Sequence, residues 1–191
     1  MTGIRETDFT EYELSKIGFK LKDALKADVI DCAGKLEEEL SVKTVQKKCG
    51  SRILKTRTKG TGDGTLKITV FLPQDLFVDM YGMKRTDLKE GVVAYGLNSQ
   101  HAVMCITAEV LNEDGEKKLK AYPNCTITTA LSRSVDNDSE DVSMIELEVS
   151  IMPDDNQEGM YEAVVGDLKD ATVSAKWMEE FSRELVETEA A

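Results

Sequence analysis

Residues 142–152 constrain the fold more than any other stretch of the sequence, because they alternate strictly in character. Four apolar side chains are interleaved with four others: Ile145, Leu147, Val149 and Ile151 against Met144, Glu146, Glu148 and Ser150. A period of two places the two sets on opposite faces of a β-strand. Pro153 has no N–H to donate to a ladder and ends the strand, and turn-forming residues follow as far as Gly159. The stretch therefore predicts a strand with one buried face and one wet, acidic face.

Strand signals of the same kind recur along most of the chain. Alternating or β-branched runs occupy residues 17–21, 38–47, 52–56, 65–72, 91–99, 102–112, 117–124 and 126–131. The dipeptide Asp114-Gly115 favours a tight hairpin between two of these runs. The pattern predicts roughly seven or eight strands, most of them joined by hairpins.

Two helices are predicted beside these strands. Pro73 stands where a helix tolerates its missing N–H, apolar residues follow at helical spacing, and Gly82 is a suitable C-cap. Near the C-terminus, Ser174 is a candidate N-cap for a helix at about residues 174–187, with Trp177 on its apolar side. The predicted fold class is mainly β (α+β): a β-sandwich or partly open barrel with one short internal helix and a C-terminal helix.

The chain of 191 residues is long enough for one domain with its own core. Residues 1–16 are polar with isolated apolar side chains. We predict an N-terminal arm there, with a frayed terminus as the alternative. Residues 17–191 are predicted to form a single domain.

A glycine-rich segment interrupts the strand pattern, and we predict a long hairpin loop there, at about residues 55–66. Its candidate contact residues are basic, acidic or glycine: Arg57, Lys59, Gly60, Gly62, Asp63 and Gly64. A phosphate-binding P-loop needs a helix after its glycines, whereas residues 65–72 alternate as a strand. A loop tip flanked by basic residues is instead suited to docking against another molecule.

The net charge of −12 restricts the choice of partner. With 36 acidic and 24 basic residues, the chain is not expected to condense on nucleic-acid phosphates. No stretch approaches the roughly 18 apolar residues that a membrane span requires, and the N-terminus has no apolar signal core. We expect an acidic cytoplasmic protein with no membrane partner.

The sequence offers little for catalysis or metal binding. The four cysteines, Cys32, Cys49, Cys105 and Cys125, are widely spaced with no C-x-x-C pair, and His101 is the only histidine. No nucleophile stands beside a base, and the many carboxylates single out no acid–base pair. We expect no enzymatic activity, no catalytic residue, no metal site and no cofactor.

Five short blocks, in order within about residues 65–185, resemble one known family. They are Asp-Leu-Phe-Val-Asp-Met-Tyr-Gly at 75–82, Val-Ala-Tyr-Gly at 93–96, Lys-Leu-Lys-Ala-Tyr-Pro-Asn-Cys at 118–125, the run 147–163 ending in Gly-Met-Tyr-Glu-Ala, and Trp-Met-Glu-Glu-Phe-Ser at 177–182. Together they resemble the major tail protein, or tail tube protein, of long-tailed bacteriophages of Gram-positive hosts.

The resemblance implies a viral structural protein of the virion tail, assembled in the host cytoplasm. Subunits of that family form hexameric rings that stack into a hollow tube, through which double-stranded DNA passes during ejection without specific binding. The implied partners are further copies of the chain, tail terminator and distal tail or baseplate proteins, and a tape measure protein in the lumen. Residues 57–64 and 1–16 are then candidates for contact with an adjacent ring. Glu146 and Glu148 are candidates for an acidic lumen wall that repels phosphate.

Two alternatives stay open. The first is the inner tube protein of a contractile phage tail or of a phage-derived bacteriocin, which would have a similar fold inside a sheath. The second is a monomeric β-sandwich binding or adaptor module, which would stay monomeric in solution and give the glycine-rich segment no docking role.

Overall fold

The computed structural model describes residues 9–133 and 142–188. Within these residues the chain forms eight strands, three short α-helices and one 3₁₀ turn. In chain order they are β1 (Glu13–Leu21), β2 (Asp28–Ile30), β3 (Ala33–Cys49), β4 (Arg52–Val70), α1 (Gln74–Met80), β5 (Val103–Leu111), β6 (Lys117–Ile127), β7 (Ile145–Ile151), β8 (Tyr161–Val164), the 3₁₀ turn (Val165–Asp167), α2 (Ala171–Glu180) and α3 (Arg183–Val186).

All eight strands belong to one antiparallel sheet, ordered β2-β1-β5-β6-β7-β4-β3, with β8 paired to β6 off this path. Strand β6 forks the sheet, because its first half pairs with β8 and its second half pairs with β7 on the same edge. The sheet curves until β1 and β3 come into contact, yet the two strands share no ladder in the described chain. The predicted mainly β fold with a few short helices is confirmed, and the sheet is open.

The main core fills the concave side of the sheet. Its residues come from β1, β4, β5, β6 and β7, and α1 lies over them with Leu76, Phe77 and Met80 buried. The alternation predicted for residues 144–151 is confirmed, since Leu147 and Val149 are buried in this core while Glu146 and Glu148 beside them are exposed. The internal helix predicted after Pro73 is confirmed as well.

A second, smaller core lies on the convex side of β5 and β6, under α2. Trp177 and Phe181 pack there on Leu119 and Ala121. The Trp177 indole Nε1 donates a hydrogen bond of 3.0 Å to the main-chain oxygen of Lys120. The one tryptophan thus holds the C-terminal helix against the sheet, as its position on the apolar side of the predicted helix indicated.

The bounds predicted for the C-terminal helix were wrong at both ends. Helix α2 begins earlier, because the Asp170 carboxylate accepts from the N–H of Thr172 (2.8 Å) and caps the helix. Ser174 lies inside the first turn and donates instead to the oxygen of Ala171. The helix is broken at Phe181, whose extended backbone lets its ring pack against Tyr161 and Trp177 before α3 begins.

Two further predictions differ from the structure. Residues 91–99 do not form a strand; they belong to an irregular connection in which the N–H of Ala94 bonds to the oxygen of Met83. The N-terminal arm predicted at residues 1–16 is shorter than expected, because Glu13 already pairs with Leu111 in the sheet. Residues 1–8 of the predicted arm lie outside the described residues.

Candidate functional site

The most unusual element is the outer part of the β3–β4 hairpin, residues 41–63, which we call the ribbon. Beyond the pair Leu40↔Gly64, β3 and β4 have only each other as partners, and nearly every residue is exposed. From Val42 to Cys49 the ribbon extends for about 26 Å at the usual rise of a strand. An isolated two-stranded hairpin is marginally stable at best in water. Within the described residues, the ribbon therefore lacks the packing that would normally stabilise it.

The prediction of a loop at residues 55–66 was wrong, because β4 runs unbroken from Arg52 to Val70. The turn of the hairpin lies instead at Gly50, which has a positive φ of 60°. Two of the glycines read as chain breakers, Gly60 and Gly64, pair with Val42 and Leu40 in the ladder. Thr58 and Thr65 flank the glycine-rich segment, suit a strand and pair with β3 as well. Arg57, Lys59 and Gly60 consequently lie in the middle of a strand.

The other three candidate contact residues, Gly62, Asp63 and Gly64, lie at the root of the ribbon. There β4 carries two more residues than β3 between consecutive pairs, which makes a bulge. Gly62 has a φ of 83°, a conformation that favours glycine. Hydrogen bonds from the side chains of Thr61 and Ser41 lower the pKa of Asp63.

The turn at residues 153–159 supports this root. A Cβ on Gly159 would lie 1.9 Å from the main-chain oxygen of Gly62, so the two segments touch through their backbones. Asp154 holds the turn, since one carboxylate oxygen accepts from the N–H of Asn156 (2.8 Å) and of Glu158 (3.0 Å). Burial opposes ionisation of Asp154, but these bonds and the Tyr161 hydroxyl lower its pKa. The predicted turn therefore contacts and supports the root of the ribbon.

The pairing register divides the ribbon into two unlike faces, because residues directly opposite each other share a face. One face is basic and is formed by the pairs Lys43↔Lys59, Val45↔Arg57 and Lys47↔Lys55. The other face is uncharged over the pairs Val42↔Gly60, Thr44↔Thr58 and Gln46↔Thr56, with the two threonine hydroxyls 2.9 Å apart, and carries Lys48 next to the tip. On the basic face, Lys43 lies opposite Lys59 and Lys47 lies opposite Lys55. Repulsion between these like charges destabilises the free ribbon further.

Charge is divided between the ribbon and the rest of the chain. Residues 41–63 hold seven basic residues and one acid, a net +6, whereas the remaining residues hold 17 basic and 35 acidic ones, a net −18. In the described chain no basic side chain of the ribbon forms an ion pair. The ribbon is therefore an uncompensated cationic projection on an anionic body.

A buried ion cluster ties the base of the hairpin to the N-terminal segment. The Lys120 side chain is only 2% exposed, and its Nζ lies 2.7 Å from Glu38 of β3 and 2.8 Å from Glu11. The Tyr122 hydroxyl donates to the second oxygen of Glu38. These four residues, which we call the Lys120 cluster, bridge the seam between β1 and β3. Burial opposes the charge on Lys120, but its two glutamate partners raise its pKa.

The predicted lumen residues Glu146 and Glu148 are exposed on the convex side of the sheet. In the register they lie opposite Thr69 and Lys67 of β4. The next strand continues the same face with Lys35, Glu37 and Glu39. We call this surface the acidic face: Glu37, Glu39, Glu146 and Glu148, interspersed with Lys35 and Lys67. Lys35 pairs with Glu37 at 2.8 Å.

Cys125 is buried and Cys105 is partly buried, whereas Cys32 and Cys49 are exposed. His101 lies between the main-chain oxygen of Ile127 and the hydroxyl of Tyr95, at 2.7 and 3.0 Å. Burial raises the pKa of the Cys105 thiol to about 12. Across residues 9–133 and 142–188, no group of His, Cys, Asp or Glu is arranged to hold a metal ion. Likewise, no helix in these ranges is both long and apolar enough to cross a membrane.

Sequence reasoning singled out Glu146 and Glu148 of the acidic face and Arg57 and Lys59 of the ribbon. It did not single out the other charged residues of these two surfaces, and it missed the Lys120 cluster. Lys120 occupies one place in a strand pattern that reads as an ordinary polar position. Its partners Glu11 and Glu38 are 109 and 82 residues away. A lone sequence contains no signal that joins positions so far apart.

The sequence matches no known family model and no curated protein. Among solved structures, the chain is similar to the anti-feeding prophage cap, a tube-terminating cap seen by cryo-EM. The TM-score is 0.50 at 13% identity over 86% of this chain and 100% of that one. A chain of the six-fold symmetrised baseplate of the same prophage gives a TM-score of 0.48 at 13% identity, over 85% and 100%. The likeness to the cap shows that this chain has the same fold.

Proposed function

We propose that this protein is a structural subunit of a phage tail, and that its copies form hexameric rings which stack into a tube for genomic DNA. The observation that carries the proposal is the ribbon, a projection of about 26 Å that is stable only when a partner covers it. A body of net −18 bearing a ribbon of net +6 is complementary to further copies of itself. Such a head-to-tail contact repeats without closing, as stacking requires.

The shared fold supports the proposal, because the anti-feeding prophage cap is a tube-terminating protein. The same likeness favours a second candidate, a subunit that ends a tube or forms the inner tube of a contractile particle. The two candidate functions differ in whether rings stack. A terminating subunit forms a single ring to which no further ring is added. The more specific resemblance to the tail tube protein of phages of Gram-positive hosts stays a prediction.

In the proposed tube the acidic face lines the lumen. Glu146 and Glu148 are exposed on a sheet face that no helix covers in the described chain. Negative charge there repels the phosphates of passing DNA and prevents adhesion. The partners are other tail proteins, namely a terminator, distal tail or baseplate proteins and a tape measure protein in the lumen. The location is the virion tail after assembly in the host cytoplasm, and the role is structural rather than enzymatic.

The proposal is tested by assembly of the purified full chain. Sedimentation velocity over a range of concentrations, with negative-stain microscopy of the products, should show rings and stacked tubes. A variant in which residues 43–59 are replaced by a two-residue Asn-Gly turn should keep the melting temperature of the body and lose stacking. These residues contribute no packing to the core in the described chain, and the root contact between Gly62 and Gly159 is retained.

A strict monomer at every concentration and ionic strength would contradict the tube and favour the monomeric binding module. Normal tubes from the shortened variant would remove the ribbon from the stacking contact. Rings that never stack, from the intact chain, would favour the tube-terminating role.

A further inference from the structure

We propose that the basic face of the ribbon binds the phosphate backbone of nucleic acid without reading its sequence. This role goes beyond the proposed function, because nucleic acid would compete with another copy of the chain for the same basic face. The expectation drawn from the net charge of −12 treated the charge as if it were spread evenly, whereas the ribbon carries a net +6.

The basic face presents a regular array of positive charge. Five cations, Lys43, Lys47, Lys55, Arg57 and Lys59, surround Val45 on one side of two paired strands. Neighbours on one face of a strand are two residues apart, about 6.6 Å at the usual rise. Two strands side by side make a ribbon narrow enough for the major groove of duplex DNA, which is about 12 Å wide.

The side chains of the basic face are also available to a ligand. No side chain of the face is engaged in an ion pair in the described chain. The one acid of the ribbon, Asp63, lies at the root and accepts hydrogen bonds from Thr61 and Ser41. Lys and Arg contacts to phosphate oxygens fix position and carry no sequence information, so the binding is sequence-independent.

Charge density favours nucleic acid over the acidic face of a second copy. The four glutamates of the acidic face are interspersed with Lys35 and Lys67, which leaves about two net negative charges against five positive ones. A duplex presents one negative charge per roughly 1.7 Å, or about 15 along a ribbon of about 26 Å. The body of net −18 repels the duplex and confines the contact to the ribbon. The expected interaction is therefore weak and easily broken by salt, which suits DNA that must move on.

The test is fluorescence anisotropy of the full chain with a labelled 30-base-pair duplex and with a second duplex of scrambled sequence. Five neutralised phosphates predict a log–log salt slope of about −4.5, or about a 500-fold loss of affinity between 50 and 200 mM salt. The two duplexes should bind equally. In the variant Lys43→Gln/Arg57→Gln/Lys59→Gln the slope should fall to about −1.8, or about a 12-fold loss over the same range.

The matched control is Lys22→Gln/Lys89→Gln/Lys169→Gln, which removes three exposed cations of the body and changes the net charge equally. It should keep the slope of the unmodified chain. An equal fall in slope in the control overturns the proposal, because net charge rather than the face would then govern binding. Absence of binding by the unmodified chain at 50 mM salt overturns it as well.

Sedimentation of the same variants separates this inference from the proposed function. If the ribbon variant loses self-association while no duplex binds the unmodified chain, the partner of the basic face is another copy, and this inference fails while the tube stands. If the duplex binds through the ribbon but no ring or tube ever forms, the proposed tube fails while the nucleic-acid contact stands.

Discussion

At the scale of single residues, Lys120 is the most informative position. A fully desolvated lysine is stable only when its charge is paired, and here two glutamates from distant segments supply the pairing. The same residue accepts from the Trp177 indole through its main-chain oxygen. Lys120 thereby connects the seam on the concave side of β6 with the small core on the convex side.

Replacing Lys120 with methionine should lower the free energy of unfolding by about 2 kcal/mol, below the range for a fully buried pair because both glutamates are partly solvated. Urea denaturation followed by circular dichroism measures the change. The control is Lys26→Met, which also removes a lysine paired to two glutamates, Glu179 and Glu180, but at an exposed site. Little change is expected there, since exposed ion pairs contribute little. Equal losses in both variants would contradict a special role for the buried pair.

At the scale of elements, the hairpin of β3 and β4 departs furthest from an ordinary domain. Its inner third is a normal part of the sheet, with Leu36 and Leu66 in or against the core. Its outer part is exposed on both faces. The division falls at the bulge of Gly62 and Gly64, where the turn at residues 153–159 meets the backbone of β4.

We expect Gly159→Ala to loosen this root, because the new methyl group would overlap the oxygen of Gly62 and the backbone has to move. Amide hydrogen exchange should become faster at residues 60–64 and 153–159, with a loss of about 1–3 kcal/mol in global stability at most. Gly166→Ala is the control, since nothing lies within 4 Å of the added carbon. Unchanged exchange in Gly159→Ala would show that the turn does not support the ribbon.

The same elements show how far sequence predicts the structure. The strand at residues 145–151 was predicted because its alternating apolar and polar side chains match the buried and exposed faces of the folded sheet. The ribbon was read as a loop because its glycines are local breaker signals, whereas its ladder depends on register with residues up to 18 positions away, as in Val42↔Gly60. The start of α2 was misplaced because Asp170 and Ser174 are both acceptable caps, and only the fold selects one.

At the scale of the whole molecule, segregation of charge is the dominant property. A chain of net −12 is composed of a ribbon at +6 and a remainder at −18. Net charge alone predicts repulsion between copies and from DNA, but the segregated arrangement allows attraction in one orientation. Assembly and nucleic-acid contact are both expected to weaken with salt.

If the acidic face lines a lumen, Glu146→Lys/Glu148→Lys should make assembled tubes retain DNA. Six copies would exchange 12 negative charges for 12 positive ones, because each glutamate-to-lysine change reverses the sign at an exposed position. Co-sedimentation of labelled duplex with tubes at 200 mM salt measures retention. The control Glu113→Lys/Asp167→Lys makes the same change of charge away from this face. Equal retention in both would remove Glu146 and Glu148 from the lumen wall.

The fork in β6 determines how a mechanical load on the ribbon reaches the rest of the molecule. A pull on β3 and β4 passes to β7 through seven residue pairs, but from β7 to β6 through only three. Along the path that runs through strand pairing, those three pairs are the narrowest connection between the ribbon and the half of the sheet that carries α2. The contact of Glu38 with Lys120 runs parallel to this path and joins β3 to β6 directly. Of the ladders on this path, the β6–β7 junction is therefore the one expected to separate first under load, and the Glu38–Lys120 contact opposes that separation.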